Sequence, residues 1–253
     1  MVEKNLTGRH IIVTGAGRNV GAEVAAELAR RGAKVAIIDL DAETAAESVA
    51  VINAETPDAA VAVTCDVSNS SDVDRMVAEA AVRMGGLDGL VHSVAITDRG
   101  KTVLTIDDDE WDAVLKVTLY STMYCSRAVG RKMVETGATG TIVTIGSTSG
   151  YVPRGNAIAY PIAKSAGLAL VKSMARQLGE HGIRVNSVTP NKVGSPVGEA
   201  EHRQRPFTNL IGRPCEPADI AKVVAFASSE EAGFITGIDI VVDGGALVSM
   251  SID

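Results

Sequence analysis

The stretch "IVTGAGRNVG", Ile12–Gly21, decides how this chain is read. A short apolar strand, "HIIVTG" (10–15), runs into it. A helical pattern leaves it: "VGAEVAAELARRG" (20–32) puts Val20, Val24 and Leu28 on one face and stops at Gly32. Gly15, Gly17 and Gly21 therefore close a strand and open a helix. Glycine there permits positive φ and lets backbone N–H groups reach a pyrophosphate with no Cβ in the way. The helix amino end adds N–H donors and a partial positive charge. A glycine-rich string alone is weak evidence, because turns use glycine constantly; its place between strand and helix is what the mechanism requires. Asn19 stands where a further glycine is usual, and asparagine is the side chain that best tolerates left-handed backbone.

The same alternation continues outward. "KVAIIDL" (34–40) is the next strand and "DAETAAESVAVINAE" (41–55) the next helix, with Asp41 placed to cap it. Further strands are expected in "AVAVTCDV" (60–67), "LDGLVHSVA" (87–95), "TGTIVTIGS" (139–147), "IRVNSVTP" (183–190) and "IDIVVDGG" (238–245). Near-continuous apolar strands separated by helices imply a parallel sheet covered on both faces. Right-handed crossovers then give an α/β, Rossmann-type doubly wound sheet in three α/β/α layers. With 253 residues, 46% hydrophobic, and no repeat or linker, one domain over 1–253 is expected. The segments 111–134 and 157–178 are apolar on more than one face, which suits a deep core or a partner subunit, and so a homo-oligomer. The polar stretch 191–213 holds two prolines and follows a strand's carboxyl end, the place for a substrate-binding lid.

A net charge of −7 and the absence of any basic run argue against nucleic acid or an anionic membrane as partner. Cys65, Cys125 and Cys215 lie far apart in an odd count, which suits reduced thiols, and the four histidines lack metal-ligand spacing. No signal-peptide pattern and no bilayer-length apolar run is evident, so a cytoplasmic protein is expected.

Asp39 ends the second strand, about 20 residues beyond the glycines, where a carboxylate can accept hydrogen bonds from an adenosine ribose. It would repel a 2′-phosphate, which favours NAD over NADP. Arg18 could meet that phosphate instead, and Asp39 is weighed above it. Tyr160 and Lys164 in "YPIAK" are four apart, on one helix face. An ammonium beside a phenol favours the phenolate, which can then exchange a proton with an alcohol near neutral pH. Pro161 is tolerable only in that helix's first turn. Ser147 ends the fifth strand at the sheet's carboxyl edge, in reach of a reacting oxygen.

With these residues in place the chain resembles the short-chain dehydrogenase/reductase family over essentially its full length. The matching pieces are "TGAGRNVG", Asp39, "CDVS", Ser147, "YPIAK", "IRVNSVTP" and "IVVDGGA". The spacings are those of its shorter members, and the Tyr–Lys spacing is shorter than that of the enoyl reductases. The resemblance implies hydride transfer between NAD(H) and a secondary alcohol or ketone. It implies Tyr160 as general acid/base, Lys164 on the nicotinamide ribose, and Ser147 polarising the substrate oxygen. It places Gly15, Gly17, Arg18, Asn19, Val20, Gly21, Asp39 and Leu40 on the nucleotide, Asp66 and Val67 at the adenine, and Ser93, Val94 and Ala95 along the cofactor. Pro190, Val193 and Ser195 would meet the nicotinamide end. Tetramers, or dimers, are common in the family. Thr118 occupies the place of the family's asparagine, which holds a water in a proton relay, and "HSVA" (92–95) stands where "NNAG" is usual. These departures keep a second reading open: a catalytically impaired nucleotide-binding or assembly protein. Within "HSVA", His92 is expected to be a hydrogen-bonded structural residue.

Overall fold

Seven apolar runs become parallel strands: β1 His10–Thr14, β2 Lys34–Asp39, β3 Ala60–Thr64, β4 Gly89–His92, β5 Gly140–Ile145, β6 Ile183–Pro190 and β7 Asp239–Val242. The computed structural model describes residues 3–194 and 208–249. Sheet order is β3-β2-β1-β4-β5-β6-β7, so the chain winds outward from β1, returns, and winds out the other way. Between β1 and β4 the winding direction reverses, and there the connecting loops part to leave a crevice at the carboxyl edge. Thr14 is level with both Ile38 and His92, so Gly15, Asp39 and Ser93 leave the sheet side by side.

The strands read as unbroken apolar runs because both faces are covered. On one face α1 (Asn19–Arg30) and α7 (Pro217–Ser228) bury Val24, Leu28, Ile220 and Val224 against Val13, Ile37 and Val188. On the other, α3 (Ser70–Met84), α5 (Ser121–Thr136) and α6 (Ala159–Leu178) bury Met76, Val129 and Val171 against Ile12, Leu90 and Val185. Ile12 and Val13, adjacent in β1, thus serve opposite layers. α2 (Ala42–Glu55) starts at Asp41, whose side chain accepts from the Glu43 and Thr44 amides as its position predicts. Among the described residues no helix is long and apolar enough to cross a membrane.

The segment 111–134 is not one regular helix. α4 (Asp108–Leu115) is capped by Asp107, then Lys116–Tyr120 form a π turn before α5 begins. The Ser121 amide donates to the Lys116 carbonyl, five residues back. One extra residue per turn rotates everything beyond it. α4 therefore packs Trp111 and Val114 around Tyr160, while α5 turns Cys125, Val129 and Met133 to the sheet. The turn thus gives one continuous segment two apolar faces, while Tyr120 within it stays 46% exposed.

Candidate active site

The glycine loop is tight for three different reasons. Gly15 has φ +63°, a left-handed value. At Gly17 a Cβ would lie 2.6 Å from Thr44 Oγ1 and 2.8 Å from Asp39 Oδ2. At Gly21 it would lie 2.1 Å from the Gly15 carbonyl oxygen, because here α1 packs directly on the strand exit. Asn19 takes φ +54°, the left-handed geometry expected of it. Arg18 precedes α1 with extended backbone, and its side chain does not cap that helix end.

These residues open onto a cavity of about 390 Å³ that runs along the carboxyl edge. Gly15, Arg18, Asn19, Val20 and Gly21 line it from the loop, and Ile38, Asp39 and Leu40 from the end of β2. Cys65, Asp66 and Val67 follow β3; Ser93, Val94, Ala95 and Ile96 follow β4. Ile145, Gly146 and Ser147 end β5, Tyr160 and Lys164 come from α6, and Pro190 and Val193 leave β6. Gly17 stands just behind the wall, its amide donating to Asp39 Oδ2 at 3.0 Å. Asp39 Oδ1 also accepts from the Asp41 amide at 3.3 Å. Ser195, and most of the 191–213 loop, lie outside the described residues. A crowded glycine cradle, a helix start directed at the cavity and a carboxylate beyond them form a donor and acceptor set that fits a dinucleotide.

The reactive groups meet at the other end. Tyr160 is the second residue of α6 and Pro161 the third, inside the first turn, where a missing N–H is tolerated. Tyr160 is 4% exposed. Lys164, one turn on, is 9% exposed and donates to the Ile145 carbonyl at 2.7 Å. Its Nζ is 5.8 Å from the centre of the Tyr160 ring, and the Arg154 guanidinium is 5.3 Å from it. Burial pulls the Lys164 pKa down to about 8. Ser147 accepts from the Ser149 amide at 3.2 Å and shares a 3.1 Å hydrogen bond with the Ser149 hydroxyl.

Thr118 is not brought to the cavity wall. It lies inside the π turn, where its hydroxyl donates to the Ile96 carbonyl at 3.0 Å and accepts from the Ile96 amide at 3.1 Å. With its only proton committed to backbone, this side chain ties the cavity segment after β4 to the helix. Its neighbour Val117 lines the cavity instead.

His92 is buried behind that segment. Ser121 gives its proton to the Val117 carbonyl at 2.6 Å, so His92 Nε2 must donate to Ser121 Oγ at 2.9 Å. His92 Nδ1 then accepts from Thr14 Oγ1 at 2.9 Å, and Thr14 in turn accepts from the Ser93 amide at 3.3 Å. The chain of four bonds fixes one neutral tautomer, in keeping with a structural histidine. Burial, and then the Lys164 charge, push the His92 pKa down to about 3.

Asp98 is a residue the sequence reading passed over. Its carboxylate accepts from the amides of Ile158, Ala159 and Tyr160. Burial alone would raise its pKa, but these donors outweigh it and hold the group below the usual carboxylate range.

Comparison with known proteins fits this geometry. A family model described as enoyl-(acyl carrier protein) reductase matches residues 15–246. A (+)-cis,trans-nepetalactol synthase of Nepeta racemosa is 35% identical, over 98% of this chain and 94% of its own length. A (3R)-3-hydroxyacyl-CoA dehydrogenase of Mus musculus is 33% identical, over 92% of this chain and 94% of its own. The crystal structure of a short-chain type dehydrogenase/reductase from Mycobacterium marinum superimposes with a TM-score of 0.87 at 27% identity, covering 96% of each chain. The chain belongs to the short-chain dehydrogenase/reductase family. As a member of this oxidoreductase family it shares the Rossmann fold of its structural neighbours.

Proposed function

We propose that this short-chain dehydrogenase/reductase interconverts a secondary alcohol and a ketone with NAD(H), with the whole chain as one nucleotide-binding domain. One observation carries the reading: a buried lysine ammonium and a buried tyrosine share a cavity with Ser147 and with a glycine cradle ending at Asp39. A nicotinamide held along this cavity would supply the hydride acceptor or donor for the substrate carbon. The protein's own groups do the rest. Tyr160 takes the alcohol proton or gives it to the carbonyl oxygen. Lys164 and Arg154 place positive charge near the phenol, which favours its ionised form during transfer. Ser147 re-aims its hydroxyl from Ser149 to the reacting oxygen, and this holds the charge that develops there. Asp39 accepts from a ribose hydroxyl and disfavours a 2′-phosphate, which supports NAD above NADP.

The test is a panel of secondary alcohols and ketones with NAD(H), then with NADP(H), following nicotinamide absorbance. An enoyl thioester belongs in it, because the matched family model carries that description. Tyr160→Phe should abolish turnover and leave nucleotide binding intact. A second reading, a nucleotide-binding protein without dehydrogenase activity, draws on the hydroxyl of Thr118 being committed to backbone and on a relative named as a synthase. Nucleotide binding with no turnover across the whole panel would favour it.

A further inference from the structure

Tyr160 stands where a helix begins, among amides that no intrahelical carbonyl accepts. Ile158, the residue before α6, has no side chain to offer them, and Pro161 has no N–H. The next amide, Ile162, returns to the Ile158 carbonyl at 3.4 Å. The three amides that remain all go to one carboxylate. Asp98 Oδ2 accepts from Ile158 and Ala159, each at 2.7 Å, and Oδ1 accepts from Tyr160 at 3.0 Å. Asp98 is 0% exposed and 62 residues from Tyr160 in sequence.

Asp98 also continues the cavity segment that leaves β4. Ser93–Ile96 line the cavity, Ile96 is pinned to Thr118, and Gly100 donates to the Asn156 carbonyl at 2.7 Å just before α6. One piece of backbone thus forms the cofactor-side wall and holds the first turn of the tyrosine helix. We infer that Asp98 is a positioning residue: it fixes the Tyr160 phenol relative to the wall that faces the nicotinamide. The inference rests on the oxidoreductase reading above. An anion suits the task, because both oxygens accept and three donors converge. An asparagine would turn an NH₂ toward an N–H. Around the phenol, Lys164 shares its helix, Arg154 comes from the preceding strap, and His92, neutral, lies beyond Lys164.

The experiment uses the full chain carrying Asp98→Asn, with Asp98→Glu as a second variant that keeps the charge. Three quantities are measured: amide exchange over 157–165, reduced-nicotinamide binding by fluorescence, and kcat and KM normalised to titrated nucleotide sites. In Asp98→Asn, exchange over 157–165 should rise at least about tenfold, the change expected for one lost amide bond. Nucleotide affinity and KM should stay within about threefold, while kcat per site falls about 30-fold, as expected for a misplaced catalytic group. Asp98→Glu should recover part of that kcat. An unchanged kcat per site in Asp98→Asn would overturn the inference. So would loss of fold in both variants, since the role would then be structural only. Should the unmodified protein turn over nothing, the oxidoreductase reading fails, while exchange over 157–165 still decides whether Asp98 holds the turn.

Discussion

Lys164 gives the sharpest prediction, because its burial sets function against stability. Its pKa falls from 10.5 to about 8, since burial disfavours the charged form. At 1.36 kcal/mol per pKa unit, this disfavours the folded state by about 3 kcal/mol where the lysine is charged. Between pH 8 and 10.5 the unfolded chain holds this proton and the folded chain has released it, so stability rises with pH across that window. Below pH 8 the full cost is present. Lys164→Met removes it and gives up the hydrogen bond to Ile145, worth about 1 kcal/mol. The ligand-free variant should therefore be more stable by about 2 kcal/mol at pH 7, or about 4–8 °C in Tm for a chain of this size. Calorimetry on both proteins at pH 7 and pH 10 reads this, and the gap should narrow at the higher pH. Turnover should be lost throughout. An equal or lower Tm for the variant at pH 7, or a gap independent of pH, would refute the reasoning.

Four further outcomes are expected. Gly21→Ala drives a Cβ to 2.1 Å from the Gly15 carbonyl, so it should cost about 2–3 kcal/mol and lose the nucleotide, measured by melting and titration. Gly17→Ala meets only side chains, Thr44 and Asp39, and should keep its fold with weakened binding. Asp39→Ala should narrow the proposed preference for NAD over NADP while weakening both, because it also releases the Gly17 amide; comparison of the two dissociation constants decides. His92 stays neutral in the fold down to about pH 3, whereas the unfolded chain protonates below 6.5, so this residue makes stability fall with acid. His92→Gln should remove up to about 1.4 kcal/mol per pH unit of that slope, read by urea unfolding at pH 6 and pH 5.

The sheet was legible because a strand buried on both faces advertises itself as a short apolar run with a glycine or polar stop. Asp41 was legible because its cap is local. The cavity lining was legible wherever a residue's place is set by a strand end: Gly15, Asp39, Ser147. Asp98 was not, because the rule for helix starts looks at the residue just before the helix, and Ile158 stands there. The carboxylate arrives from the far side of the fold. Thr118 was misleading for a related reason. Position alone suggested chemistry, and only the structure shows its hydroxyl spent on Ile96. The π turn left no trace in the apolar spacing beyond a segment that looked too apolar for one stripe.

That turn has a consequence for how the chain can change its length. Each helical residue advances the azimuth by about 100° and the wide turn absorbs one residue, so deleting one of Lys116–Tyr120 would close it to ordinary α-helix and leave Trp111 and Val114 still facing Tyr160. What the shortened helix would lose is the local bulge that sets Thr118 against the Ile96 backbone. A single-codon loss within this stretch should be tolerated far more readily than one in α4 or α5 on either side of it.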